Sequence, residues 1–167
     1  MDKRQRSIMR FSIGLNILLV ALVVWGHLKV NFIEDEILFT KIQYTFVKLE
    51  GVIEKQSNHG WTEPNRVADQ LNAARSGVWV AILKSGTLSH DDKLMFQRLY
   101  STLGNVFPAS DEEGDRDIVL TEQEKQNFEK LREILHDVGL GSNVQLSDSR
   151  NSMLKQVAEL ERKLGSL

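Results

Sequence analysis

Apolar residues fall along this chain in two ways: one unbroken run near the N-terminus, then stripes recurring at spacings of three and four. The run is Phe11 to Leu28, FSIGLNILLVALVVWGHL, in which eleven of eighteen positions are Leu, Ile, Val or Phe. As a helix it spans about 27 Å, close to the ~30 Å hydrocarbon core of a bilayer. Each of those side chains favours insertion by roughly 0.3–0.6 kcal/mol, enough together to offset Ser12, Asn16 and the peripheral His27. The pattern predicts a single membrane-spanning helix.

The stripes predict helices throughout the rest. From Asn31 to about Ser57, the residues Phe32, Ile33, Ile37, Phe39, Ile42, Phe46, Leu49, Val52 and Ile53 recur with helical period. No Pro separates this stretch from the apolar run, so the two either form one helix or bend at Gly26. Gly60 supplies a left-handed stop. Thr62 is expected to cap a second helix, with Glu63 and Pro64 in its first turn. Val67, Leu71, Ala74, Val78 and Ile82 form its stripe, and Gly86 closes it. The segment SGVWVAIL resembles a strand locally, but it continues that stripe and has no partner strand. Ser89 with Asp92, and Thr121 with Glu124, are capping boxes that open a third and a fourth helix. The third carries Leu94, Phe96, Leu99, Tyr100, Leu103, Val106 and Phe107 and must end before Pro108. The fourth carries Phe128, Leu131, Leu135 and Val138 and ends at Gly139. The last helix, about Asp148 to Leu164, shows Met153, Val157, Leu160 and Leu164 at heptad spacing. The predicted fold is all-α: a transmembrane helix followed by an antiparallel bundle of about five amphipathic helices.

Charge orients the anchor. Lys3, Arg4, Arg6 and Arg10 precede the run, whereas after it Lys29 is followed by Glu34, Asp35 and Glu36. The positive-inside rule then keeps residues 1–10 cytoplasmic and translocates residues 29–167 as an extracytoplasmic domain at the cell membrane. Val24-Trp25-Gly26 is a poor cleavage site and the run exceeds a signal-peptide core, which favours an uncleaved anchor over 11–28. Residues 1–29 hold five of the 21 basic and one of the 23 acidic residues, leaving 16 against 22, net −6, for the remainder. That balance gives no electrostatic basis for binding nucleic acid. The chain has no Cys, which removes disulfides, thiol catalysis and cysteinyl metal sites.

Candidate chemistry is sparse. The histidines His27, His59, His90 and His136 lack zinc-site spacing. No nucleophile elbow occurs, and Gly139 with Gly141 is explained by a helix C-cap. No cofactor is indicated. The acidic loop comes nearest to a site: from Asp111, oxygens fall at positions 1, 3, 5 and 12 (Asp111, Glu113, Asp115, Glu122), similar to the spacing of a helix-flanked calcium loop. Arg116 occupies the position where such a loop needs Gly, so a solvated acidic loop before a capped helix is the better reading. The expected role is therefore non-enzymatic. It is protein–protein interaction or self-association from a lipid anchor, as an envelope scaffold or accessory subunit. The alternative is a small-ligand or ion-sensing helical module, which would require a polar group buried within the bundle. Millimolar calcium should leave the melting temperature and helicity unchanged. A site in tenfold calcium excess would add about 1.4 kcal/mol, or about 3–6 °C. Such a shift, lost in Glu122→Gln but kept in Glu124→Gln, would establish the loop as a calcium site.

Overall fold

The computed structural model describes residues 3–84, 88–107, 119–143 and 150–166, with side chains described over 11–26, 39–83, 88–107, 119–143 and 150–166. Among these residues the chain is all-helical: α1 (Lys3–Asn58), α2 (Asn65–Lys84), α3 (His90–Val106), α4 (Glu122–Asp137) and α5 (Arg150–Leu164). They divide into two compact units, Met1–Asp35 and Glu36–Leu167.

The first unit is a stretch of α1. Its described apolar side chains are exposed, Phe11 at 74% and Val23 at 71%. Of the two alternatives for the stretch from Asn31, the continuous one is found: it belongs to α1, which runs through Gly26 where no Pro interrupts it. Among the described residues, no helix is long and apolar enough to cross a membrane. The span expected over Phe11–Leu28 has described side chains only from 11 to 26, that is 16 residues, or about 24 Å of helix. The side chains of Phe32, Ile33 and Ile37 lie outside the described residues, as do Gly86, Pro108 and most of the acidic loop.

The second unit is a helical bundle organised on the later part of α1. Phe39, Ile42, Phe46, Leu49 and Ile53 lie three and four apart and are each at most 5% exposed. One seam of α1 is thus core from Phe39 to Ile53. Helix α2 returns beside it: Gln70 Nε2 donates to the Thr45 carbonyl at 3.1 Å, and Gly77 lies against Thr45 and Ile42. Helix α4 also runs opposite to α1, since His136 reaches Glu50 and α4 residue Phe128 meets Trp61 beyond the end of α1. Helix α5 meets α4 near the C-terminal ends of both, where Lys163 pairs with Asp137. It lies parallel to α3, pairing Arg98 with Glu161 and Arg150 with Asp92. Most of the predicted stripe residues are buried: Val67, Leu71, Ala74 and Val78, then Phe96, Leu99 and Leu103, then Phe128, Leu131 and Leu135, then Met153, Val157, Leu160 and Leu164, whereas Leu94 of the α3 stripe is exposed and Tyr100 and Val106 are only partly buried. The strand-like SGVWVAIL is helix.

Local chemistry sets most helix ends. Both capping boxes form, Ser89 with Asp92 and Thr121 with Glu124, each with side chain and backbone bonded reciprocally. The start of α2 departs from expectation. The helix begins at Asn65 rather than after Thr62, because Glu63 and Pro64 form a preceding turn whose carbonyls accept from Arg66 and Val67. Gln56, only 2% exposed, accepts from the Glu63 amide at 2.8 Å in that turn. At the end of α1, Gly60 takes φ 69° as expected, but Trp61 follows at φ 59°. A left-handed conformation is costly for a bulky residue. It is held by the bond from Trp61 N–H to the Gln56 carbonyl at 2.8 Å and by the ring sequence Trp61–Phe128–Phe107, with centroids 6.0 and 5.1 Å apart.

Leu71 and Leu131 are both fully buried, so Leu71→Asp and Leu131→Asp should each cost at least about 3 kcal/mol by placing a charge in apolar surroundings. Thermal or urea melts of the variants check this. Parent-like melting of both would mean that these faces are not core.

Candidate functional site

Helix α1 carries a second seam beside its apolar one. Gln43 and Glu50, seven residues apart, are each 4% exposed. Seven residues is two helical turns, so both face the same side, and both are covered from the α4–α5 region. Gln43 Nε2 donates to Gln156 Oε1 at 3.3 Å. Gln156 Nε2 donates in turn to the Gly139 carbonyl at 3.0 Å.

Glu50 is the more consequential residue. A buried carboxylate is costly unless hydrogen bonds replace its water. Here Oε2 accepts the Ser142 backbone N–H, and Oε1 lies 3.1 Å from His136 Nδ1. A carboxylate only accepts, so the proton of that contact belongs on Nδ1. His136 itself is half-exposed at the C-terminal end of α4, where a cation is also favoured by the helix dipole. Asn143 Nδ2 closes the turn by donating to the His136 carbonyl at 2.9 Å. Gly141 is required by the same carboxylate. A Cβ there would sit 2.7 Å from Glu50, whereas Gly139 is the left-handed helix stop at φ 75°. The expectation that capping explains both glycines therefore holds for Gly139 alone.

Around this carboxylate the α1–α4 groove opens into a depression of about 280 Å³ lined by Glu50, Glu54, Arg132, Glu133, His136, Asp137 and Ser142. Most of its charges have partners. Arg132 Nε lies 3.3 Å from Glu129, and Asp137 lies 3.2 Å from Lys163. The buried polar group that a ligand-sensing module would need is present in Glu50, but both of its oxygens are engaged within the chain. On the exposed side of α5, the hydrogen bond from Arg162 holds the Glu159 carboxyl below its ordinary value and raises the guanidinium above its own.

The sequence-derived calcium set is placed only in part. Asp111, Glu113 and Asp115 lie outside the described residues. Glu122 is the first residue of α4, with Oε1 taken by Lys125 Nζ at 2.6 Å. Among the described residues, no group of three or more His, Asp or Glu could hold a metal ion. His59 lies in the turn after α1, its Nδ1 2.7 Å from the Lys55 carbonyl, and His90 is exposed at the start of α3. The pairing of Glu50 with His136 was missed. The signal that could have found it is the spacing of Gln43 and Glu50 by seven, immediately flanking an apolar seam. No family model, no curated protein and no solved structure matches the chain.

Glu50→Ala should destabilise the bundle by about 1.5–3 kcal/mol through lost charge-assisted bonds. Gly141→Ala should cost about 1–3 kcal/mol through overpacking. The pair should be strongly non-additive: once Glu50 is Ala, adding Gly141→Ala should cost little, because the clashing carboxylate is gone. A double-mutant cycle by urea unfolding measures the coupling. Additive losses would show that Gly141 and Glu50 do not meet.

Proposed function

We propose that the chain is a membrane-anchored protein whose helical unit lies outside the cytoplasm and acts by binding other proteins, as an envelope scaffold or accessory subunit. The observation that carries the reading is the row of exposed apolar side chains from Phe11 to Trp25. Water penalises so long a contiguous apolar surface, and lipid does not. The polar residues inside the run suit that setting, since Asn16 Nδ2 donates to the Ser12 carbonyl at 2.9 Å. A side-chain amide in hydrocarbon needs such an internal partner. The basic residues Lys3, Arg4, Arg6 and Arg10 ahead of the run, against Lys29 just after it, favour an N-terminus in the cytoplasm.

Protein binding rather than catalysis is supported by how the polar groups are used. Glu50, His136, Gln43, Gln56 and Gln156 are engaged with one another or with backbone. A catalytic set would instead converge on open space. Meanwhile the bundle exposes Trp79 at 45% and Leu83 at 65%, side chains of the kind that interfaces cover.

The full chain should sediment with membranes, resist alkaline carbonate extraction, and place a reporter fused after Leu167 outside the cytoplasm. A reporter active only in the cytoplasm would overturn the orientation. A soluble exported species beginning at His27 would show a cleaved leader in place of an anchor.

A further inference from the structure

Three side chains of α2 stand one turn apart on one line: Arg75, Trp79 and Leu83. They cover about 12 Å of helix. Beside them on α3 are Tyr100 and Gly104. The Trp79 and Tyr100 rings meet at 5.4 Å, and the Arg75 guanidinium lies over the Tyr100 ring at 4.9 Å. Gly104 makes room for it, since a Cβ there would sit 2.7 Å from Arg75 Nη2. The Nε of Arg75 is sealed from solvent without a hydrogen-bond partner. Among the described residues no carboxylate lies within ion-pair distance of this guanidinium, although Arg66, Arg98, Arg132 and Arg162 all have one. The face therefore joins an oriented, uncompensated cation to an exposed Trp and an exposed Leu.

We propose that this α2–α3 face docks a helical segment of a partner protein, with an Asp or Glu of that segment closing on the Arg75 guanidinium and apolar side chains covering Trp79 and Leu83. The proposal deepens the protein-binding reading and rests on it. A face shared by two packed helices can accept a third helix, and a row spaced by four matches its repeat. Charge complementarity selects an acidic partner. A planar guanidinium held flat by stacking presents a fixed fork to one carboxylate. An anionic lipid surface would instead call for several mobile cations, and residues 30–167 carry net −6 (16 basic, 22 acidic). Trp, Tyr and Arg together are also the residues in which interface energy concentrates.

The test places a photo-crosslinking amino acid at Leu83 in the full chain in its own membranes, with exposed Gln126 on α4 as a control position. The expected result is a protein adduct at Leu83, mapped to a helix bearing Asp or Glu within a turn of the link. Arg75→Glu should lower its yield at least about tenfold. Reversing the partner's acidic residue to Lys should restore the yield in Arg75→Glu and lower it in the parent. Arg75→Met keeps an unbranched stem over Gly104 and should show the loss at unchanged helicity, separating docking from folding. An adduct to lipid, an adduct only to a second copy of this chain, or a yield indifferent to Arg75 would overturn the proposal. An adduct at Gln126 with none at Leu83 would overturn this face and leave the protein-binding reading standing. No adduct at either position would count against both.

Discussion

Much of the helical unit turns on one constraint, the carboxylate of Glu50 buried beside the apolar seam of α1. Taken out of water, it must be given donors, and the chain supplies the Ser142 amide and the His136 ring. Those two donors lie on either side of the Gly139 stop of α4, so one side chain on α1 holds both sides of that turn. Gly141 follows from the same demand, because a Cβ would occupy the carboxylate's space. One turn of α1 thus pins a loop some ninety residues away in sequence. The neighbouring Gln43–Gln156–Gly139 series continues the pin toward α5.

Hydrophobic burial supplies the drive and these polar contacts supply the register. The stripes of α1 to α5 would close on one another in several ways, since Leu and Phe are not directional. An unpaired carboxylate or amide would penalise most of those alternatives. The aromatic series Trp61–Phe128–Phe107 does similar work at the other end of the α1–α4 pair, where it holds Trp61 in a conformation it would otherwise leave.

What was legible in the sequence was what is local. Ser89 with Asp92 and Thr121 with Glu124 form the capping boxes their spacing implies, because two side chains three positions apart decide them. The stripes were legible because burial follows helical period, as Leu71, Leu131 and Val157 show. The burial of Glu50 was not, because a Glu beside Leu49 looks like the polar flank of any amphipathic helix until α4 and α5 cover it. Trp61 was equally opaque: Gly60 announces a turn, but only Phe128 explains why a Trp follows in the left-handed region. The start of α2 moved from Thr62 to Asn65 because a buried Gln56 captures the Glu63 amide, a contact that no local rule foresees.

The claim that Glu50 pins the α4–α5 turn to α1 is tested most directly by hydrogen exchange at the Ser142 amide in the full chain. Ser142 lies in a turn with an exposed side chain, a setting in which amides ordinarily exchange fast. The account predicts protection comparable to that of the α1 seam amides at Phe46 and Leu49, lost selectively in Glu50→Ala while the seam stays protected. A Ser142 amide that exchanges like an open loop in the parent chain would contradict it.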